Sequence, residues 1–494
     1  MKRIYNILFI ALLAAVTSCK MDLTPSTAIV QGEAFQTMDD AKRFANGLNT
    51  KYRNCFYGIF AYTTEIQTEM FNASLEYGNR NGSPHRMDGS FTASDYNLRD
   101  VWRTSYQLIL NANNVIANID LIPVTTDGEK ADLAKYKGWA YFYRAAIYHD
   151  LVRRFAVDYE PTTANTELGV PIVLDVDLNA KPSRNTIAAV YDQISKDIVE
   201  AKKYLTPITG VAGSITPTID AVKALEARVA LYKHDYATAA TLSSNLITSG
   251  KYTLATDQEE MNAEWIKDSG KECILQMFMD INENAVDWNN VVVKNNIYLG
   301  YSQANKKYIP DFIPTLSCIN MYESNDLRRT TWFKTLTCYF DASDVNLVLF
   351  AKYWGNPDYE TAPARAYKQR PKVFRLGELY LINAEANAMN NNEPAAKTSL
   401  NALQALRNAT QTSGTMDNIK QEWAKEMIGE GYRIDCFRRW KIGFNGRIPQ
   451  NNITVYQGEY FTEKKADAAT LAFTWGIPDS ERNVNPNLVQ NKGW

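Results

Sequence analysis

The residues of this sequence best placed for acid–base chemistry are the charged side chains between Glu430 and Asp435, near the C-terminus. Carboxylates this close together could act as a general acid and a general base. We interpret them instead as a buried ion-pair or hydrogen-bond network that holds a C-terminal helix. Histidine is nearly absent, and its three positions lack a metal-ligand spacing such as HExxH; they are His85, His149 and His234. His149 lies on a helix that we expect to be buried, and we predict that it is a core residue with satisfied hydrogen bonds.

Motifs for other chemistry are missing from the sequence. It contains no GxSxG nucleophile elbow, no GxxxxGK phosphate loop and no EF-hand loop. Carboxylates could still meet in space as a glycosidase pair, but no spacing singles one out. We therefore predict no catalytic residue, no cofactor and no bound metal.

The N-terminus carries a different kind of chemistry. Lys2 and Arg3 precede a short apolar run that ends at Val16-Thr17-Ser18-Cys19, which is typical of a secretory signal peptide. The run is too short to span a bilayer as a helix, which needs about 20 apolar residues. Because Val16 to Cys19 resembles the lipobox of bacterial lipoproteins, we predict that residues 1–18 are removed and that Cys19 is the lipid attachment site.

The other five cysteines are scattered and odd in number, without CxxC spacing, which argues against zinc and against a disulfide framework. We expect buried free thiols, although Cys318 and Cys338 could bridge across a hairpin. The charges nearly balance, with 53 Lys and Arg against 55 Asp and Glu, so no basic surplus points to a nucleic-acid partner. Tyrosine is abundant, at 29 residues, and its ring suits surfaces that are both apolar and wet.

Helical periodicity marks seven segments of the chain. A turn at Asp127-Gly128 is expected to precede the second helix, which is apolar nearly all round and hence buried. Two later helix pairs, with small alanines at their crossing, resemble tetratricopeptide units. The predicted helices cover residues 101–120, 130–152, 186–205, 220–232, 236–248, 375–389 and 395–407.

Two stretches lack helical periodicity. The larger, about residues 251–372, holds several tryptophans and short β-branched runs, and the smaller lies between Asn54 and Leu98. Loops on a rigid scaffold are where binding residues concentrate. The fold class is therefore mainly α: a helical scaffold over about 30–250 and 373–494, with an irregular loop and short-strand insertion over about 251–372, all in one domain of residues 19–494.

Four segments in order, behind the lipobox, resemble the SusD/RagB family of outer-membrane nutrient-binding lipoproteins. They run from Trp102 to Ile116, from Lys137 to Pro171, from Glu426 to Trp440 and from Ile477 to Trp494. Near the end, Lys492 stands where the family has proline. The resemblance implies a lipid-anchored protein on the exterior of the outer membrane. There it would capture oligosaccharide or peptide and deliver it to a SusC-like, TonB-dependent transporter.

The same resemblance implies that both irregular stretches build the ligand face. A neutral sugar needs flat aromatic faces for its C–H side and amide or charged groups for its hydroxyls. We predict the ligand-binding residues Tyr62, Phe71, Tyr77, Asn79, Arg80, Trp288, Asn289, Tyr298, Tyr301 and Trp332. The chain has no tryptophan before Trp102, where several family members use one, so the stacking platform is left open.

We expect a binding protein for glycan rather than an enzyme. One alternative is a peptide-binding member of the same family. A less favoured alternative is a secreted hydrolase whose helical scaffold carries a carboxylate pair.

Overall fold

The computed structural model describes residues 34–494, apart from 57, 178, 283–295, 303 and 361–366. The predicted signal peptide over residues 1–18, the predicted lipid attachment site Cys19, and Trp288 and Asn289 lie outside the described residues. The fold is mainly helical, as predicted, with few and short strands.

The longer helices form the scaffold, and seven of them match predicted segments to within a few residues at most ends. Helices Met38–Phe56, Ile59–Ile66 and Met416–Glu426 have no predicted counterpart, and Ile59–Ile66 corrects the expectation that the stretch from Asn54 to Leu98 lacks helices. The longer helices are α1 (Met38–Phe56), α2 (Ile59–Ile66), α4 (Tyr96–Asn118), α5 (Asp127–Phe155), α6 (Ile187–Leu205), α7 (Ile219–Tyr232), α8 (Tyr236–Ile247), α12 (Leu376–Met389), α13 (Glu393–Leu406) and α14 (Met416–Glu426). Shorter helices lie between or after them: α3 (Gly82–Arg86), α9 (Gln258–Trp265), α10 (Leu316–Asn320), α11 (Leu327–Trp332), α15 (Arg433–Trp440) and α16 (Asp479–Val484).

Helix α5 is the buried centre of the scaffold, and nearly every residue from Tyr136 to Phe155 is inaccessible to solvent. The turn expected at Asp127-Gly128 is wrong, because helix α5 already begins at Asp127. Thr126 accepts a hydrogen bond from the Glu129 amide (3.1 Å), and Glu129 Oε2 accepts one from the Thr126 amide (3.0 Å). This reciprocal capping starts the helix at Asp127 and outweighs the turn signal of the glycine.

The two tetratricopeptide-like pairs, α7–α8 and α12–α13, lie side by side although more than a hundred residues separate them in the chain. The Asn383 amide joins them, because Nδ2 on α12 donates to the Ala240 carbonyl of α8 (2.8 Å) and to Ser243 Oγ (3.0 Å). Small residues such as Ala239 and Ala386 are fully buried in these helices. Tertiary packing thus places the two helix pairs next to each other, although the insertion separates them in the sequence.

The insertion is more regular than its sequence indicates. Helices α9, α10 and α11 lie within it, and their first turns are capped by Asp257, Thr315 and Asp326 respectively. With five to eight residues each, these helices are too short to establish a clear periodic pattern.

Short strands join the insertion to the scaffold. They are β1 (Phe71–Ala73), β2 (Cys273–Gln276), β3 (Tyr301–Ser302), β4 (Lys307–Tyr308), β5 (Phe312–Pro314), β6 (Phe333–Phe340), β7 (Ser343–Phe350), β8 (Lys372–Arg375), β9 (Phe444–Asn445) and β10 (Lys465–Ala466). Strand β2 pairs with β8 and so closes the insertion at its base, while β3, β4, β6 and β7 form a four-stranded sheet in that order. The sheet packs on its own small apolar core, which includes Phe340, Leu349 and Tyr367.

The charged C-terminal segment forms a buried network, as the sequence analysis predicts. Glu430 Oε1 lies 2.6 Å from Lys352 Nζ and 2.7 Å from Arg375 Nη2. Asp435 Oδ2 lies 2.6 Å from Arg153 Nη1, which ties α15 to the central helix α5. These side chains are at most 7% exposed, and their contacts give them a structural role.

The prediction for the five cysteines is confirmed, and the prediction for His149 is confirmed for its burial but not for its hydrogen bonds. The five cysteines Cys55, Cys273, Cys318, Cys338 and Cys436 are buried free thiols, as expected. His149 is fully buried, as predicted, and packs edge-on against Tyr232 with ring centroids 5.0 Å apart. The expectation of satisfied hydrogen bonds is wrong, because neither ring nitrogen finds a partner in the described part of the chain. Burial, followed by the charge of Arg153, lowers the pKa of His149 well below its usual value and keeps the ring neutral.

Candidate functional site

The two irregular stretches of the sequence meet in space. Strand β1 pairs with β5 in antiparallel register, from Phe71 opposite Pro314 to Ala73 opposite Phe312. The Phe71 ring packs against Tyr298, with centroids 4.7 Å apart. Side chains from around residue 75 and from around residue 305 can therefore act at one surface.

Four of the predicted aromatic residues are core residues in this structure. Tyr62, Phe71, Tyr298 and Trp332 are at most 1% exposed. Tyr62 donates its hydroxyl to Asn81 Oδ1 (3.2 Å), while the face of Trp332 receives Lys352 Nζ at 3.9 Å from the ring centroid. A ring without an exposed face cannot stack on a sugar from solvent, so we leave these four out of the candidate site.

Trp332 instead supports the buried charge network. Burial lowers the pKa of Lys352 to about 8, although Glu430 opposes the shift. Trp332 and Trp265 both face the ammonium group of Lys352, and their ring centroids lie 5.1 Å apart. A cation held over an aromatic face in a dry site gains electrostatic stabilisation that partly replaces water.

Three predicted residues of the first stretch occupy a turn beside β1. Tyr77 is buried, and its hydroxyl donates to Asn79 Oδ1 (3.2 Å). Asn79 is exposed and takes a left-handed backbone conformation (φ 58°), which asparagine tolerates better than most residues. Arg80 is exposed and donates from Nε to Asp311 Oδ2 (2.9 Å). The turn therefore presents an amide and a guanidinium group whose positions are fixed by neighbours.

Asp311 joins this turn to the insertion. Its backbone amide donates to the Ile297 carbonyl (2.9 Å), and its carbonyl accepts from the Ser74 amide (2.9 Å). Burial raises the pKa of Asp311, and the Arg80 guanidinium opposes the rise. Because Asp311 follows β4 by only three positions, it places the Asn79–Arg80 turn beside the β3–β4 hairpin.

Two half-buried aromatic residues of the hairpin, Tyr301 and Tyr308, lie in a row with half-buried Trp354, which follows β7 in the chain, and we call these three the aromatic strip. Tyr301 on β3 lies opposite Tyr308 on β4, and their ring centroids are 5.1 Å apart. The Trp354 ring follows at 6.3 Å from Tyr308. Lys334 Nζ lies 4.9 Å from the centroid of Trp354. The three rings thus follow one another beside the small sheet.

The arrangement of the strip and the turn suits recognition of sugar-like ligands. Half-exposed aromatic rings provide the apolar faces, and Asn79 and Arg80 provide hydrogen-bonding groups beside them. Of the predicted residues, Asn79 and Arg80 lie in the turn that Asp311 holds, and Tyr301 lies on the hairpin that precedes Asp311 in the chain. Sequence reasoning missed Tyr308, Asp311 and Trp354. Neither spacing nor residue type distinguishes Tyr308 and Trp354 from the buried aromatic residues nearby, and Asp311 is singled out only by its contact with Arg80.

The fold and this surface place the chain in a class of helical, tetratricopeptide-like binding proteins. A family model described as "SusD family" matches residues 346–494, and one described as "Starch-binding associating with outer membrane" matches residues 33–231. Together the two matches cover more than two thirds of the sequence. The chain belongs to the SusD family.

Curated relatives and solved structures agree with this assignment. SusD-like protein P38 of Formosa agariphila is 23% identical over 498 residues, covering 88% of this chain and 91% of that protein. A SusD superfamily protein from Bacteroides thetaiotaomicron has a crystal structure that superposes with a TM-score of 0.77 at 24% identity, covering 92% of this chain and 99% of that one. Surface glycan-binding protein A from the same species gives 0.70 at 18% identity, with 93% and 100% coverage.

The family model's description associates such proteins with the outer membrane. Within the described ranges, none of the helices combines the length and the apolar character needed to cross a membrane.

Proposed function

We propose that this protein is a cell-surface lipoprotein that binds oligosaccharide and delivers it to a partner TonB-dependent, SusC-like transporter in the outer membrane. Membership of the SusD family supports glycan binding as the general activity. The observation that carries the proposal is the aromatic strip beside the Asn79–Arg80 turn, because it combines ring faces with polar groups at one surface.

Affinity electrophoresis tests glycan binding directly. The mature chain is run in native gels containing amylopectin, xylan, galactomannan, laminarin or polygalacturonate, and we expect at least one polysaccharide to retard it. Replacing Trp354 by alanine should abolish most of the retardation, because the end of the strip loses its largest ring. Tyr204→Ala is the matched control, since Tyr204 is a half-buried ring that stacks on Tyr141 in the helical scaffold. It should leave the retardation unchanged.

The alternatives give different results in the same experiment. Co-purification of a mixture of oligopeptides, without retardation by any polysaccharide, would establish the peptide-binding alternative. Turnover of a bound glycan, measured as release of reducing ends, would establish the hydrolase alternative. Retardation without turnover is the outcome that we expect.

Delivery to a transporter requires a lipid anchor and a partner. Cys19 in the lipobox supports the anchor, and we propose that the folded part faces the cell exterior. Stable anchoring in a membrane needs two or more acyl chains, because a single acyl chain binds a membrane only marginally. A tagged full-length protein, solubilised from outer membranes in mild detergent, should co-purify with a large barrel protein. A preparation that yields only the tagged chain would count against delivery.

A further inference from the structure

A second exposed aromatic surface lies on the C-terminal loop, which we define as residues 445–465. Tyr456 and Tyr460 are 38% and 45% exposed, whereas most other tyrosines of the described chain are buried or half-buried. The Tyr456 ring stacks on Phe461, with centroids 5.2 Å apart and 26° between the planes. More than a third of each of the two tyrosine residues is therefore open to solvent at this loop.

Residues of the same loop line a cavity of about 580 Å³ that is open to solvent on one side, and we call it the polar cavity because its lining side chains are charged or polar. Its volume falls within the range of about 300–1,000 Å³ typical of small-molecule sites. Glu459 and Glu463 contribute two acidic groups to the lining, and Lys464 and Lys465 contribute two basic ones. Asn445 and Thr462 add an amide and a hydroxyl. The charges balance, so the cavity suits an uncharged ligand with many hydroxyl groups better than an anion or a cation.

The loop is held firmly in place. The Leu75 amide donates to the Thr454 carbonyl (3.0 Å), and the Tyr456 amide donates to the Ala73 carbonyl (3.1 Å). The fully buried Arg447 donates from Nε to the Thr68 carbonyl (2.7 Å). A surface fixed before binding loses little conformational entropy when a ligand arrives.

The loop is also continuous with the Asn79–Arg80 turn. Tyr77 lies edge-on to Tyr456, with ring centroids 5.2 Å apart, and it also contacts Phe461 of the loop and Phe312 of β5. The stretch from Ala73 to Arg80 therefore touches the C-terminal loop on one side and Asp311, beside the aromatic strip, on the other.

We propose that Tyr456, Phe461 and the polar cavity form a second sugar-binding surface, which engages longer chains already bound at the aromatic strip. This inference rests on the proposed function. Two linked contacts on one ligand raise the overall affinity because the second contact forms at a high effective concentration. The protein should therefore bind long oligosaccharides more tightly than short ones, and the C-terminal loop should account for the difference.

Isothermal titration with a short and a long oligosaccharide tests the inference. The probes are maltotriose and maltoheptaose, or the corresponding pair from whichever polysaccharide retards the native protein. We expect Tyr456→Ala to weaken binding of the long probe roughly three- to tenfold, the contribution of one aromatic contact, and to leave the short probe unaffected. Tyr456→Phe keeps the ring and should bind both probes like the native protein.

Two further variants make the result interpretable. Glu459→Ala alters the cavity at an exposed position and should weaken the long probe only, even if Tyr456→Ala does not fold. Trp354→Ala should weaken both probes, because it changes the strip itself. Unchanged binding of the long probe by both Tyr456→Ala and Glu459→Ala would overturn the second surface and leave glycan binding intact. Failure of the native protein to bind any glycan would overturn the proposed function, and this inference with it.

Discussion

Replacing Asp435 by asparagine should destabilise the fold strongly without touching the candidate site. Asp435 is 1% exposed and accepts hydrogen bonds from both Arg153 and Arg154 on the central helix α5. Burial alone would raise its pKa, but Arg154 and Arg153 outweigh burial and hold the pKa below its usual value. Asparagine keeps the shape of the side chain and removes the charge, so two buried guanidinium groups lose their shared counter-ion.

The expected cost follows from that burial. Removing one partner of a buried ion pair typically costs about 3–5 kcal/mol, because the remaining charge is left without compensation. Asp417→Asn is the matched control: the Asp417 side chain is 89% exposed and lies 3.4 Å from Lys420. Loss of such a surface pair should change the free energy of unfolding by less than about 1 kcal/mol.

Urea denaturation followed by tryptophan fluorescence measures both changes at neutral pH. Because the folded pKa of Asp435 is depressed, its contribution is complete above the unfolded pKa and is lost as the pH falls through the folded pKa. The gap between the native protein and Asp435→Asn should therefore narrow in acid. The structural interpretation of this segment is refuted if Asp435→Asn is no less stable than Asp417→Asn. It is also refuted if Asp435→Asn folds normally yet loses glycan binding.

Three other perturbations test separate parts of the structure. Burial raises the pKa of Glu65 from 4.5 to about 7, although hydrogen bonds from the Gly429 and Gly431 amides oppose the rise. Between pH 4.5 and about 7 the folded state therefore binds more protons than the unfolded state, and the free energy of unfolding should fall as the pH rises through this range. In urea titrations between pH 4 and 8, Glu65→Gln should reduce this loss of unfolding free energy by roughly 3 kcal/mol. If the variant and the native protein show the same pH dependence of unfolding free energy, the raised pKa of Glu65 is contradicted. Gly431→Ala should lower the free energy of unfolding by at least about 1 kcal/mol. The backbone φ angle of Gly431 is 80°, and the added Cβ would lie 3.0 Å from Ala61 Cα. A melting temperature equal to that of the native protein would rule out this destabilisation. Cys19→Ser should release the protein from the membrane fraction and abolish incorporation of labelled palmitate, whereas retention of the label would place the anchor elsewhere.

Most of the scaffold was predictable because helical periodicity is a local property. The predicted segments at 186–205 and 220–232 correspond to helices Ile187–Leu205 and Ile219–Tyr232. Threonines at the preceding positions accept hydrogen bonds from backbone amides and start both helices. The turn expected at Asp127-Gly128 is wrong because a capping box overrides a glycine signal. Short helices such as Gln258–Trp265 escaped notice because they span only about two turns.

The candidate site was predictable only in part. The two irregular stretches meet through the pairing of β1 with β5, and Arg80 contacts Asp311 across them. Tyr298 and Tyr301 are three residues apart and of the same type, yet Tyr298 is fully buried against Phe71 and Tyr301 is half-exposed on β3. Exposure in such a segment depends on which strand it pairs with, and that pairing is set by distant residues.

By itself the sequence predicted the helical class and the structural role of the charges near Glu430, and it carried the resemblances to the SusD/RagB family and, from Val16 to Cys19, to a lipobox. These depend on local spacing and on residues that are neighbours along the chain. Only the tertiary structure decided which aromatic rings reach solvent, how Trp354 joins Tyr308 in the aromatic strip, and that Asp311 links the strip to Arg80. The physical reason is that strand pairing and packing bring distant residues together and bury one face of each element, which spacing along the chain does not reveal.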